Sequence, residues 1–245
     1  MTPSHTPRTG TTPAQHRHTT TKGTTMRRRT TIVIATVCGL AVGLPAGAAT
    51  FKAVGPPKPT EYTRVLPAGQ DNPMIADGVA LGSNLSTYQA SGLGPTSANP
   101  SAPAGSAERY IDAATFPGGT LPQGVTVTEA QGLNVLEAIG DNLERAGLDY
   151  DDVTTMRVFL SNPKGAETAD FNGWNRAYRQ YFANTSLSTG KPIPVSMGTA
   201  APKNPIVTNS ARPSRFAVEV ENLPVQGWLV EVEVTAAYPK GKGKK

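Results

Sequence analysis

The chain has 245 residues, which suits one ordinary domain with tails, and a formal net charge of +5. The positive charge belongs to the two ends, because residues 50–239 hold 13 basic and 18 acidic residues, and this argues against a nucleic-acid partner. All three histidines and the single cysteine, Cys38, precede residue 50. Residues 50–245 therefore cannot use histidine or cysteine for catalysis, disulfides or zinc binding. We expect no metal and no cofactor.

The N-terminal part predicts a tail followed by an export signal. Residues 1–25 are rich in Thr and Pro without apolar periodicity, which indicates disorder. Residues 26–49 begin with a methionine and three arginines, continue with a short apolar run and end in Ala46-Gly-Ala48, the pattern of a secretory signal peptide. An uncleaved membrane anchor is the alternative, but a proline and many small residues disfavour a spanning helix. We therefore expect an exported protein, periplasmic or extracellular, with no stable membrane insertion after cleavage.

The next segments predict extended structure. Residues 50–73 hold five prolines and are interpreted as a linker or arm. Residues 78–82 and 86–92 predict two paired strands that turn between them. At the other end of the chain, residues 239–245 form a short basic tail.

Helical periodicity appears twice, on either side of a strand. Thr128 is predicted to cap a first helix whose apolar residues recur at spacings of 3, 3 and 4 and which ends at Gly147. Residues 153–160 alternate as a half-buried strand, and Thr168 or Asp170 is predicted to cap a second helix. The second helix carries an aromatic stripe that we interpret as core: Phe171, Trp174, Tyr178 and Phe182.

The order of elements predicts the fold class. Two segments rich in Pro, at 95–127 and 184–210, are longer than ordinary connections and are interpreted as insertions that form functional or mobile loops. The order β-β-α-β-α-β-β over residues 74–238 predicts an α+β domain of two layers, with two helices on one face of a single mixed sheet. The other face of that sheet would be left uncovered.

The last two strands carry the candidate site. Residues 212–224 and 227–237 alternate with period 2 and predict a β-hairpin with its loop between Asn222 and Gly227. In this interpretation one face of the hairpin is apolar and covers the core, while the opposite face carries Arg215 and Glu231. The residues expected on the core face are Phe216, Val218, Val220, Val230, Val232 and Val234.

These residues resemble the Rid family, the reactive intermediate deaminases also called YjgF. The resemblance lies in Pro213-Ser-Arg215-Phe-Ala-Val-Glu-Val220 and Leu229-Val-Glu231-Val-Glu-Val, and it continues upstream through both helices. It implies a chorismate-mutase-like fold, a homotrimer with sites between subunits, and cofactor-free hydrolysis of small enamines or imines to 2-oxo acids and ammonia. It also implies that Arg215 binds the substrate carboxylate, that Glu231 lies near the attacking water, and that Ser91 and Gly92 border the pocket.

The chemistry of these side chains agrees with that expectation. A guanidinium binds a carboxylate at two points and stays charged at any working pH. An imine carbon is already electrophilic, so an oriented water and a proton acceptor suffice, and a glutamate can supply the acceptor. The alternative is a non-catalytic trimeric module that holds a small carboxylate with Arg215. A nuclease is disfavoured by the acidic body.

Overall fold

The computed structural model describes residues 54–238, so the predicted N-terminal tail, signal peptide and basic tail lie outside the described range. Within that range, no helix is long and apolar enough to cross a membrane. Three short 3-10 turns, at Ala107–Tyr110, Pro117–Gly119 and Tyr150–Asp152, accompany the main elements. These are β1 (Tyr62–Val65), β2 (Gly78–Leu81), β3 (Thr87–Gln89), α1 (Val127–Arg145), β4 (Val153–Leu160), α2 (Phe171–Tyr181), β5 (Ser214–Glu219) and β6 (Val230–Ala237).

The main sheet has four strands in the order β3-β6-β4-β5. Strands β4 and β5 are parallel because α2 carries the chain across the sheet between them, while β6 runs antiparallel to both β4 and β3. Helices α1 and α2 pack against each other and form the second layer. The predicted fold class, two helices on a mixed sheet, is confirmed.

The predicted hairpin between the last two strands is wrong, because β4 lies between β5 and β6. One face of strand β4 is apolar, and its residues Val153, Met156, Val158 and Leu160 are fully buried. A strand buried on one face gains most from a central position with a neighbour on each side, which separates the two consecutive strands. The short loop after β5 therefore crosses the end of β4.

The predicted facing of β5 is also wrong. Arg215 pairs with Met156, so it points to the same side of the sheet as that core residue, towards the helices. Phe216 and Val218 point to the open side, where 47% and 40% of their surfaces are exposed. The apolar–polar alternation alone could not decide the side, since β5 is an edge strand with an apolar residue on each face. For β6 the prediction is confirmed, with Val230, Val232 and Val234 buried.

The helices begin at caps that are bonded to each other. Thr126, and not Thr128 as predicted, caps α1: its hydroxyl accepts from Glu129 N at 3.1 Å, while Thr128 is buried in the first turn. Asp170 caps α2 by accepting from Gly173 N at 2.8 Å, as one of the two predictions has it. The Thr126 hydroxyl also donates to the Asp170 carboxylate, which fixes the two helix starts together.

The aromatic stripe of α2 is confirmed as core for three of its four members. Trp174, Tyr178 and Phe182 are fully buried, and Phe171 at the first position of the helix is 37% exposed. The contact between the helices is close, because a Cβ placed on Gly132 of α1 would lie 2.7 Å from the Cβ of Ala177 in α2. A glycine at this position lets α1 approach α2.

The segment before the first helix differs from the prediction. Part of the predicted linker forms β1, which pairs with β2 in a separate two-stranded sheet. Strand β3 pairs with β6, so the predicted pairing of residues 78–82 with 86–92 is wrong. Arg64 of β1 joins this small sheet to the start of β4 by donating to Asp151 O at 2.8 Å and to Val153 O at 3.1 Å. Alternation is weak in strands of three and four residues, so the sequence could not assign their partners.

Candidate functional site

Arg215 lies on the edge strand β5 and reaches into the layer of the helices. Its Nη2 donates to Asn175 Oδ1 at 2.8 Å and lies 3.6 Å from the sulfur of Met74. The centre of the guanidinium lies 4.3 Å from the ring centroid of Tyr178, a distance at which the cation and the aromatic face attract each other. These contacts hold the guanidinium against α2 in one orientation.

The charge of Arg215 has no ion-pair partner among the described residues. Its Nη1 is shielded from solvent and has no hydrogen-bond acceptor in that part of the chain. Burial lowers the pKa of the Arg215 guanidinium, and the nearby Arg179 cation adds to the lowering. A half-buried cation with an unused donor is unfavourable unless an anion comes to it, so a carboxylate suits this position and contacts Nη1 once the groups that cover that atom move aside.

A cavity of about 360 Å³ opens beside the residues that bond Arg215. Its walls come from α2, from the segment before β2 and from the second insertion: Met74, Asn172, Asn175, Arg176, Arg179, Val195 and Ser196. A space of this size accepts a small metabolite.

Glu231 lies on β6 and is in contact with Gly92, on the side of the sheet away from β5. The segment after β3 is joined to β6 there through Leu93 and Val232, whose amides donate to each other's carbonyls at 2.9 and 2.8 Å. A Cβ on Gly92 would lie 2.2 Å from Glu231 Oε1, so the carboxylate rests directly on this glycine. Ser91 and Gly92 are exposed, and the Glu231 carboxylate has no hydrogen-bond donor among the described residues.

Within one chain the predicted site residues therefore fall into two separate groups, Arg215 in one and Glu231 with Gly92 in the other, which we call half-sites. Arg215 faces the helices, whereas Glu231 pairs with Phe159 on the open face of the sheet. They also stand on different strands, with β4 between them. The prediction that Arg215 and Glu231 share one face is wrong. Within a single chain the structure brings Glu231 to Gly92 but does not bring Arg215 to either of them.

Arg212, three positions before Arg215, is a structural residue. It is fully buried, and its guanidinium donates to the carbonyls of Pro73, Thr185 and Ser210 at 2.6 to 2.8 Å. It also donates to Asn72 Oδ1 at 3.3 Å. A guanidinium has five donors in a fixed fork, which suits it to join three chain segments.

Asn175 is the neighbour of Arg215 that the sequence reasoning did not assign to the site. It stands three residues before Tyr178 in α2, so helical spacing places both side chains on the side that meets β5. That spacing was visible in the sequence, but the facing of Arg215 was not. Within residues 54–238 there is no group of three or more His, Cys, Asp or Glu side chains that could hold a metal ion.

The part of the chain that holds Arg215 and Glu231 matches a known protein family. Residues 117–238, which include Arg215 and Glu231, match the model of the family described as Endoribonuclease L-PSP, the YjgF/Rid family. The chain belongs to the YjgF/Rid family. The match leaves Ser91 and Gly92 outside its limits, so the place of those two residues rests on the contact with Glu231.

Solved structures of low identity include three members of the same family. A YjgF/YER057c/UK114 protein from Mycobacterium tuberculosis is 18% identical, with 72% of this chain and 99% of that chain covered and a TM-score of 0.34. A YjgF protein from Neisseria meningitidis is 17% identical, with 73% and 96% covered and a TM-score of 0.33. A Rid protein of unknown function from Yersinia pestis is 16% identical, with 72% and 98% covered and a TM-score of 0.35. No curated protein matches the chain.

Proposed function

We propose that this protein hydrolyses small carboxylated enamines or imines to 2-oxo acids and ammonia without a cofactor. The observation that carries the proposal is the Arg215 guanidinium, which is half-buried beside a cavity with no anionic partner among the described residues and a spare donor at Nη1. A bound carboxylate would compensate the charge of this guanidinium and so explain why an arginine is buried here without an ion-pair partner.

The reaction needs a bound carboxylate, a water and a proton acceptor. With the carboxylate held by Arg215, the imine carbon is fixed in one position, and water adds to it to form a carbinolamine. Glu231 takes one proton from the attacking water and passes it to the nitrogen, which gives the carbinolamine. The carbinolamine hydroxyl then loses its proton, the nitrogen receives it, and the C–N bond breaks as ammonia leaves. One water is consumed, one C=O bond replaces one C=N bond, and no electron is gained or lost.

The two half-sites can act on one substrate only if they come from different chains. Arg215 and Glu231 face opposite sides of the sheet, so a neighbour must supply one of them. The open face of the sheet offers the surface for this, because Phe216 and Val218 are exposed there beside Phe159. A cyclic homotrimer, which packs unlike surfaces of successive chains together, would bring the two half-sites together.

The test is release of ammonia and 2-oxo acid from imines generated in the cuvette by an amino-acid oxidase. We expect Arg215→Ala to lower kcat/KM by at least about a hundredfold, since two charge-assisted hydrogen bonds contribute roughly 3 kcal/mol. Arg215→Lys should also fail, because an ammonium cannot bind both oxygens in one plane. Glu231→Gln should lower kcat more than it raises KM.

Matched controls use exposed residues of the same types. Arg145→Ala, at the end of α1, and Glu221→Gln, after β5, should keep the wild-type rate because both side chains are exposed. If the wild type binds 2-oxo acids, Arg215→Ala does not, and no imine is hydrolysed by the wild type, the protein is a carboxylate-binding module instead. If Arg215→Ala hydrolyses imines as fast as the wild type, the proposed role of Arg215 is wrong.

We also propose that the protein acts outside the cytoplasm. The support is the order of a basic start, a short apolar run and Ala46-Gly-Ala48 in the sequence. N-terminal sequencing of protein recovered from the periplasm or medium should begin within a few residues of Ala49. Recovery of the uncleaved chain from the cytosol would contradict export.

A further inference from the structure

Three arginines surround Tyr178 and are bonded only by neutral groups. Arg179 donates to the side chain of Asn72 at 2.7 Å, to its carbonyl at 3.1 Å and to the carbonyl of Ala183. Arg212 and Arg215 likewise have neutral acceptors, and none of the three forms an ion pair within residues 54–238. Burial raises the pKa of the Tyr178 hydroxyl, which donates to Met74 O at 2.9 Å, so this phenol stays neutral and does not offset the arginine charges.

The positive charge is concentrated at one cavity. Arg179 and Arg176 line the 360 Å³ space beside Arg215, together with the amides of Asn172 and Asn175. The carboxylate in contact with this wall is Glu129, and Arg176 already pairs with it at 2.7 Å. A buried pair of this kind is neutral as a unit, so the charges of Arg179 and Arg215 remain uncompensated. They exceed what a ligand with one carboxylate would balance.

The second insertion forms one rim of this open cavity. Val195 and Ser196 form its outer wall, and Val195 is held by a pair of main-chain bonds to Lys203 at 2.7 and 3.1 Å. Gly198 N donates to Glu129 Oε1 at 2.9 Å, which ties the insertion to α1. The cavity therefore has a fixed rim on the side of the insertion, is otherwise open to solvent, and begins at Met74 and Asn175, two residues that contact Arg215.

We infer that the substrate carries a second carboxylate, so that the preferred class is the 2-imino dicarboxylates, the imines of acidic amino acids. This inference rests on the proposed hydrolysis. One carboxylate binds Arg215, and the other binds in the cavity between Arg179 and the amides of Asn172 and Asn175. Water replaces the imino nitrogen, and the products are a 2-oxo dicarboxylate and ammonia. The reaction that supplies the substrate must oxidise an acidic amino acid at the carbon that bears the amino group, or eliminate water or another leaving group from the 3-position of a substituted one.

Direct binding tests this inference without any turnover. Isothermal titration of the full chain with oxaloacetate and 2-oxoglutarate should give at least about tenfold tighter binding than titration with 2-oxobutanoate, because a second charge-assisted contact forms. Equal affinity for the mono- and dicarboxylates, or weaker binding of both dicarboxylates, would overturn the inference.

Asn172→Asp places a negative charge on the cavity wall. Asn172 is exposed at the second position of α2, where an acidic residue suits the helix start, so the fold should be unharmed. The variant should lower the preference for dicarboxylate over monocarboxylate about tenfold, whereas Asn222→Asp, exposed in the loop after β5, should leave it unchanged. An unchanged preference in Asn172→Asp would show that the second carboxylate does not bind there.

Hydrolysis assays separate this inference from the function on which it rests. If 2-iminopropanoate is hydrolysed at least as well as 2-iminosuccinate, the deaminase proposal stands and the dicarboxylate inference fails. If dicarboxylates bind selectively but neither imine is hydrolysed, the cavity assignment stands and the proposed reaction fails.

Discussion

Two arginines three positions apart, Arg212 and Arg215, should respond to substitution in opposite ways. In Arg212→Met, the side-chain volume is kept, but the buried carbonyls of Pro73, Thr185 and Ser210 lose their donor. An unsatisfied buried acceptor costs about 1–3 kcal/mol, and relaxation makes the three together less than their sum, so we expect a loss of roughly 3–5 kcal/mol. For a domain of this size, that loss lowers Tm by roughly 10–15 °C.

Arg215→Met removes a bond to Asn175 and the contact with Tyr178, but it also removes a half-buried cation without an anionic partner. The lost contacts contribute about 2–4 kcal/mol, and the desolvation of the charge costs a comparable amount, so the free energy of unfolding should change by no more than about 1 kcal/mol. Urea unfolding of both variants, followed by circular dichroism, measures the difference. A loss in Arg215→Met as large as that in Arg212→Met would refute the division into a structural and a ligand-binding arginine.

Three further changes probe other parts of the molecule. Gly92→Ala should lower imine hydrolysis at least severalfold with little change in Tm, because the new Cβ displaces the Glu231 carboxylate, whose Oε1 lies 2.2 Å away; an unchanged rate would separate Gly92 from the site. Gln131→Leu should lower the free energy of urea unfolding by about 2–4 kcal/mol, because the buried amide donates to Ala107 O at 2.9 Å and to Gly227 O at 2.8 Å and accepts from Leu229 N at 2.7 Å. A loss below about 1 kcal/mol would contradict this link between the first insertion and the loop before β6. For Asp112, burial raises the pKa of the carboxyl, but hydrogen bonds from the Thr115 hydroxyl and from the amides of Ala114 and Thr115 outweigh that effect and leave the pKa below its ordinary 3.8. The contribution of this carboxylate to the free energy of unfolding is therefore present above about pH 4 and is lost as the pH falls through the lowered pKa. Asp112→Asn should be less stable than the wild type at about pH 6, and it should lose less of its stability than the wild type on acidification below about pH 4.

The parts of the fold that were predictable from sequence are those with strong periodicity. The helices, the strand at residues 153–160 and the apolar face of β6 each have enough repeats to identify both the element and its buried side. The end of α1 was predictable because Gly147 has a φ of 73°, a conformation that glycine adopts without strain.

The parts that were not predictable depend on which strands become neighbours. Arg215 and Phe216 alternate equally well with either face inward, and the choice is made by the parallel pairing of β5 with β4. The hairpin prediction failed for the same reason, since strands that follow each other in sequence were assumed to pair. A buried arginine such as Arg212 is invisible in the sequence, because its acceptors are carbonyls from segments far away in the chain.

The central claim is that Arg215 of one chain and Glu231 of another act on the same substrate. Arg215→Ala and Glu231→Gln chains with different tags can be co-expressed, and mixed oligomers isolated through both tags. In a cyclic trimer that contains both variants, one interface in three joins an intact Arg215 to an intact Glu231. We therefore predict about a third of the wild-type rate of ammonia release from 2-iminosuccinate, although each variant alone is inactive. Mixed oligomers no more active than the separate variants would contradict a site shared between chains.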